Sequence, residues 1–258
     1  MNRPLILVTN DDGISAPGIR NLIRIMNGFG DVFVVAPDGP QSGMGHAITI
    51  EATIRCDKII IEKGPQIEYS CSGTPVDCVK LAVNQLLSRK PDLCVSGINH
   101  GSNSSINVIY SGTMSAAVEG SLEAIPSIGF SLLDFSHNAD FTEAEKYIRK
   151  ITKSVLKYGL DSGVCLNVNI PKVIKGTSIK GIKVCRQANA NWEEEFEERK
   201  DPKGRTYYWL TGKFVNYDKG TDTDEWALSN HYVSVVPVQF DVTAHHSISK
   251  LNKIISDE

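Results

Sequence analysis

The chain has 258 residues, of which 41% are hydrophobic and 22% charged, the composition of an ordinary globular protein. Its net charge of −3 gives no general attraction to nucleic-acid polymers or anionic membranes, so we expect neither as a partner. No apolar run approaches the roughly 20 residues of a membrane span, and the run at 5–8 is too short for a secretion signal. We therefore expect a cytoplasmic protein whose six scattered cysteines are buried thiols.

The first 177 residues alternate between strand patterns and helix patterns. Continuous β-branched runs predict buried strands, and apolar residues three or four positions apart predict helices. The predicted strands are 5–9, 31–37, 92–96, 126–132 and 163–171, and the predicted helices are 17–29, 74–87, 113–124 and 143–156. Segments 47–54 and 58–61 alternate in polarity and predict an antiparallel pair. The alternation predicts an α/β fold with a doubly wound, mostly parallel sheet.

The pattern changes at about residue 178. Strand-like pieces at 182–187, 206–212 and 232–242 surround an acidic run at 193–198, which we interpret as a solvated face. Tyr207, Tyr208 and Trp209 would be costly to leave exposed on a monomer. We therefore predict an α/β core at 1–177. Residues 178–258 are predicted to form a β-rich arm and C-terminal segment of the same domain, used in oligomerisation. The tail at 247–258 predicts a short amphipathic helix.

Polar side chains collect where the predicted strands end. Ligands of an open parallel sheet bind beyond the carboxyl ends of its strands, so these positions predict a site. In chain order they carry Asp11 and Asp12, Ser42, Asn99, His100 and Asn103, and then the helix start Ser111-Gly112-Thr113.

Adjacent carboxylates accompanied by neutral oxygen donors are typical of a hard divalent cation, Mg²⁺ or Mn²⁺. The helix start at 111–113 offers backbone N–H groups to an anion, and a cation facing such a helix end indicates phosphoryl chemistry. Each motif also has a purely structural interpretation. Asp11-Asp12-Gly13 can be a turn, Ser111 a helix N-cap and His100 a solvated side chain.

A set of short motifs carries a family resemblance. The strings ILVTNDDGISAPGI, APDGPQSG, SGTPVDCV, SGINHGSN, YSGTMSAAVEG, LNVNIP, GTDTD and YVSVVPVQFDVT occur in this order over nearly the whole chain. Together they resemble the SurE (survival protein E) nucleotidases. The resemblance implies a Rossmann-like core, one divalent cation per subunit, and hydrolysis of nucleoside 5′- and 3′-monophosphates, sometimes also of short polyphosphate. It further implies a homodimer or homotetramer with exchanged C-terminal segments.

Carried over by residue, the resemblance implies that the metal ligands are Asp11, Asp12, Ser42 and Asn99. It implies that Asn103 and Ser111-Gly112-Thr113 lie at the substrate phosphate, and that Asp11 and Asp12 are catalytic. One loop departs from the family. Relatives usually carry a glycine and one or two aspartates between Asn103 and Tyr110, where this chain has Ser105, Ile106 and Asn107.

Two other classes also pair acidic residues after a first strand. A haloacid-dehalogenase-like phosphatase forms a phospho-aspartate but places its second aspartate two residues on, whereas here the carboxylates are adjacent. A receiver-like, non-catalytic metal-binding module carries an aspartate at a later strand end, where this chain has Ser-Gly-Ile-Asn at 96–99. A dinucleotide-binding dehydrogenase is excluded because no GxGxxG follows the first strand.

Overall fold

The computed structural model describes residues 3–136, 138–174 and 176–256. The strands are β1 (Leu5–Thr9), β2 (Asp31–Pro37), β3 (Cys56–Ile59), β4 (Ile67–Cys71), β5 (Leu93–His100), β6 (Ser127–Leu132), β7 (Val164–Ile170), β8 (Gly181–Val184), β9 (Ala190–Lys200), β10 (Thr206–Asn216) and β11 (Tyr232–Gln239). The α-helices are α1 (Pro17–Met26), α2 (Pro75–Leu81), α3 (Asn107–Tyr110), α4 (Gly112–Leu122), α5 (Thr142–Tyr158), α6 (Asp224–Ser229) and α7 (Ile248–Ser256).

Nine of these strands form one sheet in the order β3-β4-β2-β1-β5-β6-β7-β11-β8. The six strands from β4 to β7 are parallel, while β3 and β11 run antiparallel to β4 and β7 respectively. The chain builds outward from β1 on one side through β2 and then returns to the other side of β1 with β5. The crevice between the ends of β1 and β5 is therefore the topological switch point, where doubly wound sheets bind ligands.

Helices cover both faces of the sheet, as the sequence predicts. On one face, apolar side chains of α1 and α5 pack on the sheet, and on the other face α2 and α4 do so. The β1 residues Ile6, Leu7 and Val8 are fully buried, because β1 lies in the middle of the sheet. The prediction of an α/β, mostly parallel fold is confirmed.

The prediction that 47–54 and 58–61 pair with each other is wrong. Strand β3 pairs instead with β4, in the register Cys56 to Cys71. Segment 47–54 is held by the start of α2, where Thr74 donates to the Ala47 carbonyl at 2.8 Å and Asp77 accepts from the Thr49 amide at 3.1 Å. Because of these contacts, the backbone of segment 47–54 does not take part in the hydrogen bonding of the sheet.

The region after residue 178 contributes to two sheets. Strand β11 pairs antiparallel with β7, and β8 pairs in parallel with β11, so both extend the main sheet. Strands β9 and β10 form a separate antiparallel hairpin. The acidic run at 193–198 is part of β9 and not a segment between strands, and its side chains are exposed. Helix α7 has no buried residue.

Two smaller predictions concern cysteines and membranes. Five cysteines are buried free thiols, whereas Cys56 is half-buried. Among the residues that the structure describes, no helix combines the length and apolarity that a membrane span requires.

Candidate active site at the β1–β5 switch point

The paired carboxylates follow directly from the end of β1. Asp11 and Asp12 come two and three residues after Thr9, and the chain then turns at Gly13 with a φ of +96°. The Asn10 amide donates to the Gly13 carbonyl at 2.9 Å and closes the turn. Glycine suits this position because other residues rarely adopt that conformation.

Asp11 is the more deeply placed of the two carboxylates. It is 5% exposed, and its Oδ1 accepts a short hydrogen bond from the Thr113 hydroxyl at the start of α4. Gly112 lies directly against it, so that a Cβ added at Gly112 would stand 2.7 Å from the Asp11 Cβ. Burial raises the pKa of Asp11 to about 6, and the neighbouring Asp12 charge adds to the rise.

Asp12 lies nearer the surface and faces the end of β5. Its Oδ2 accepts from the His100 backbone N–H at 3.4 Å, and burial raises the pKa of its carboxyl. Within residues 3–136, 138–174 and 176–256, no lysine, arginine or histidine side chain forms a salt bridge with Asp11 or Asp12. Two adjacent, partly desolvated carboxylates therefore lie side by side with no salt bridge from the described residues.

A backbone carbonyl and an aromatic ring hold the His100 side chain in place. Its Nδ1 lies 3.1 Å from the Ser136 carbonyl, and its ring packs edge-on against Phe141 with centroids 5.3 Å apart. A carbonyl only accepts, so Nδ1 carries the proton and Nε2 remains buried, without a partner in the described part of the chain. An open cleft lies beside Asp12, between His100, Phe135 and Pro40.

The N-terminus of α4 meets the carboxylates from the other side. The Ser111 hydroxyl caps the helix by accepting from the Met114 N–H at 3.0 Å. Because Thr113 donates its hydroxyl proton to Asp11, the groups of this helix end that remain for an anion are the Ser111 hydroxyl proton and the first backbone N–H groups.

Ser42 and Asn99 lie on segments that adjoin the carboxylates. The loop after β2 passes Asp11, where the Gln41 N–H donates to the Asp11 carbonyl at 2.7 Å, and Ser42 is the exposed next residue. Asn99 is half-buried at the end of β5, and its amide donates to the Gly101 carbonyl at 3.0 Å. In the described residues, no hydrogen bond joins either side chain to the carboxylates.

Asn103 belongs to a buried amide network that the sequence analysis missed. Its N–H donates to Asn169 Oδ1 at 2.8 Å, its carbonyl accepts from Asn167 Nδ2 at 2.7 Å, and its own amide donates to Ser131 at 2.8 Å. The sequence signal for this network was present in the motif LNVNIP at 166–171. Two asparagines spaced two apart in an otherwise apolar strand share one face, and buried amides require partners.

The donor set constrains the kind of cation that could bind. In the described residues, no group of three or more histidine, cysteine, aspartate and glutamate side chains is arranged around a metal position. A cation here would take the two carboxylates plus neutral oxygens, which fits magnesium or manganese better than zinc. Asn10, directly before the pair, keeps a buried Oδ1 that accepts no hydrogen bond from the part of the chain that the structure describes.

Comparison with known proteins identifies the family. The model of the family "Survival protein SurE" matches residues 6–194, most of the chain. The chain belongs to the SurE family. It is 68% identical to the "5′-nucleotidase SurE" of Flavobacterium psychrophilum over 98% of both chains. It is 70% identical to the protein of the same name from Christiangramia forsetii, over 97% of this chain and 96% of that one.

A solved SurE structure shares the fold. The crystal structure of the SurE protein from Aquifex aeolicus matches with a TM-score of 0.83 at 38% identity, covering 97% of this chain and 99% of that one. Membership of the SurE family confirms the resemblance stated above and leaves no support for the haloacid-dehalogenase-like or receiver-like alternatives.

Proposed function

We propose that this SurE-family chain is a phosphoric monoester hydrolase that converts nucleoside 5′-monophosphates to nucleoside and phosphate. The names of the relatives that match the full chain support the reaction. The observation that carries the proposal is the contact of Asp11 with the N-terminus of α4, next to Asp12 and at the switch point of the sheet. Activity on 3′-monophosphates and on short polyphosphate is part of the same proposal, because both present a terminal phosphate.

The carboxylates fit one divalent cation per subunit. Asp11 and Asp12 would hold it with the help of Ser42 and Asn99, and water and substrate would complete the set. When bound, the cation would neutralise phosphate oxygens and lower the pKa of a coordinated water.

The residues around Asp11 hold its carboxylate in place and provide the groups proposed to bind phosphate. Thr113 fixes the rotamer of Asp11, and Gly112 allows the helix end to approach it closely. The Ser111 hydroxyl and the free N–H groups of α4 would bind phosphate oxygens as negative charge develops on them. Burial raises the pKa of Asp11 to about 6, and a bound cation would lower it again by favouring the charged form of the carboxylate.

The test is phosphate release from a panel of 5′- and 3′-nucleoside monophosphates and tripolyphosphate. Each substrate is assayed with Mg²⁺, with Mn²⁺ and with EDTA. We expect turnover of several 5′-monophosphates that EDTA abolishes. No turnover with any metal would contradict the proposal, whereas turnover in EDTA would contradict only its metal-dependent part.

The substitution Asp12→Asn is the most specific single test of the proposed metal site. It preserves shape but removes one of the two negative charges, so we expect kcat to fall by at least about 100-fold while the unfolding midpoint changes little. The matched control is Asp31→Asn, which replaces an exposed aspartate at the opposite end of the sheet. Full activity of Asp12→Asn at saturating metal would exclude Asp12 as a ligand.

A further inference from the structure

The segment that leads into the proposed phosphate site is fastened to the arm. We call residues 101–107 the site loop. It leaves the end of β5, contains Asn103 and continues through α3 into Ser111 at the start of α4. The position of the site loop therefore determines where the protein groups proposed to bind phosphate lie.

Ser105 is the most constrained residue of the site loop. It is fully buried and has a φ of +52°, the left-handed region that favours glycine. Its hydroxyl donates to the Ala188 carbonyl at 2.9 Å, at the base of β9. Relatives with a glycine in this loop would adopt the conformation without strain but would lack that hydroxyl.

Asp224 ties the same two segments together from within. Its Oδ2 accepts from the Ser105 N–H at 2.8 Å, and its Oδ1 accepts from the Ala188 N–H at 2.9 Å. Asp224 is itself fully buried, so both charge-assisted hydrogen bonds are shielded from water. One carboxylate thus bridges the site loop and the base of the arm.

Asn107 makes a second contact between the site loop and β9, nearer the surface, which we call the outer connection. Its Oδ1 accepts from the Trp192 indole N–H at 2.8 Å, and Trp192 lies on β9. The indole ring packs edge-on against Phe214 of β10, with centroids 5.6 Å apart. Trp192 is 41% exposed, so this hydrogen bond competes with water and serves orientation more than stability.

We propose that Ser105 and Asn107 are positioning residues that lock the site loop onto the base of the β9–β10 hairpin, so that substrate affinity depends on how the hairpin is seated. The inference rests on the proposed function for its kinetic consequence, but its structural part is independent of turnover.

The outer connection can be tested with matched variants. Asn107→Leu removes the acceptor at similar size, and Trp192→Phe removes the donor but keeps a ring against Phe214. Asn107→Asp retains an acceptor for the indole and serves as the conservative rescue. Trp209→Phe makes the same chemical change on β10, away from the site loop, and serves as the control.

The first measurement is hydrogen–deuterium exchange. We expect faster exchange of the amides of 101–107 in Asn107→Leu and in Trp192→Phe, and wild-type exchange in Asn107→Asp and Trp209→Phe. Unchanged exchange in both loss variants would overturn the proposal, as would an equal effect from Trp209→Phe. This measurement needs no substrate, so its result stands even if the wild-type protein fails to hydrolyse AMP, an outcome that would contradict only the proposed function.

The second measurement is the steady-state kinetics of AMP hydrolysis. We expect KM to rise roughly two- to tenfold in each loss variant, the effect of one exposed hydrogen bond, with kcat changed less than about twofold. The double variant should be no worse than either single variant, because both remove the same bond. Additive effects, or a loss confined to kcat, would contradict a positioning role.

Discussion

At the scale of single residues, the environment of Asp11 is unfavourable for a lone charge. Its carboxylate is buried beside that of Asp12, and the Thr113 hydroxyl that donates to it carries no charge. A site built only for stability would place an apolar residue or an ion pair there. The site instead keeps an electrostatic cost that a bound cation would relieve.

Gly112→Ala tests the close approach of α4 to Asp11. The added Cβ would stand 2.7 Å from the Asp11 Cβ, a contact that no rotation of the Asp11 side chain relieves, so the backbone on one side must shift. We expect the free energy of unfolding to fall by about 1–3 kcal/mol. Activity should fall at least about tenfold, since small displacements in a site are costly.

The control for this prediction lies on the same helix. Leu122→Ala at the exposed end of α4 should leave the kinetics of hydrolysis unchanged. Wild-type kinetics in Gly112→Ala would mean that the approach of the helix to Asp11 has no part in the reaction.

At the scale of elements, a buried ion pair joins α1 to the sheet. Arg20 of α1 donates to both carboxylate oxygens of Glu68 on β4, at 2.6 and 2.8 Å, and both residues are buried. Burial alone would raise the pKa of Glu68, but the hydrogen bonds from Arg20 and Gln66 together with the Arg20 charge outweigh it and lower the pKa. The pair fixes how α1, whose start follows the carboxylates, lies across the sheet.

Glu68→Gln should be strongly destabilising because it removes the buried counter-charge of Arg20 and leaves only the exposed Glu62, 3.5 Å away. We expect a loss of about 3–5 kcal/mol in the free energy of unfolding at pH 7, measured by urea titration. Since the pKa of Glu68 is lower in the folded state, its stabilising effect is present above its unfolded value of about 4.3 and is lost as the pH falls through the folded value. The difference between wild type and variant should therefore shrink below about pH 4.

An exposed pair provides the comparison. Glu143→Gln breaks the surface contact with Lys146 and should change stability by no more than about 1 kcal/mol. A similarly small effect for Glu68→Gln would show that the buried pair does not hold α1 in place.

The same elements show what could be predicted from the sequence. Buried parallel strands were predictable because both faces are apolar. Strand β4 was missed because its pattern is inverted, with Ile67 exposed and Glu68 buried against Arg20. Strand β9 was missed because an acidic run reads as a solvated segment, and its strand conformation depends on pairing with β10.

Some features of the candidate site could likewise be predicted from the sequence, and others could not. The carboxylates could be predicted from their place at a strand end. The bonds from Thr113 to Asp11 and from Ser105 to Asp224 join residues 102 and 119 positions apart, and no local pattern encodes such partners.

At the scale of the whole molecule, the arm and the tail present apolar surface. Register places Trp192, Phe196, Tyr208, Leu210 and Phe214 on one face of the hairpin. On α7, four large apolar side chains are exposed: Ile248, Leu251, Ile254 and Ile255. Apolar surface of this extent is typical of a protein interface, and we propose that a second copy of the chain covers it.

Light scattering should therefore give two or four times the chain mass of 28.3 kDa at micromolar concentration. The double variant Leu251→Glu/Ile254→Glu should shift the mass toward a single chain, because it places charge in the apolar face of α7. The variant Lys250→Glu, one residue away on the same helix, should not. A monomeric mass for the wild-type protein would reject the interface.

The strand order also governs when the site comes into being. As the chain emerges during synthesis, Asp11 and Asp12 appear almost first, but His100 and Thr113 follow about a hundred residues later. The strand that completes the crevice beside β1 is the fifth in the chain, so a long loop must close before the carboxylates gain their surroundings. A nascent or truncated chain that ends before β5 therefore carries the acidic pair without the cleft, and the proposed cation site is assembled only after β5 and the start of α4 have joined the sheet.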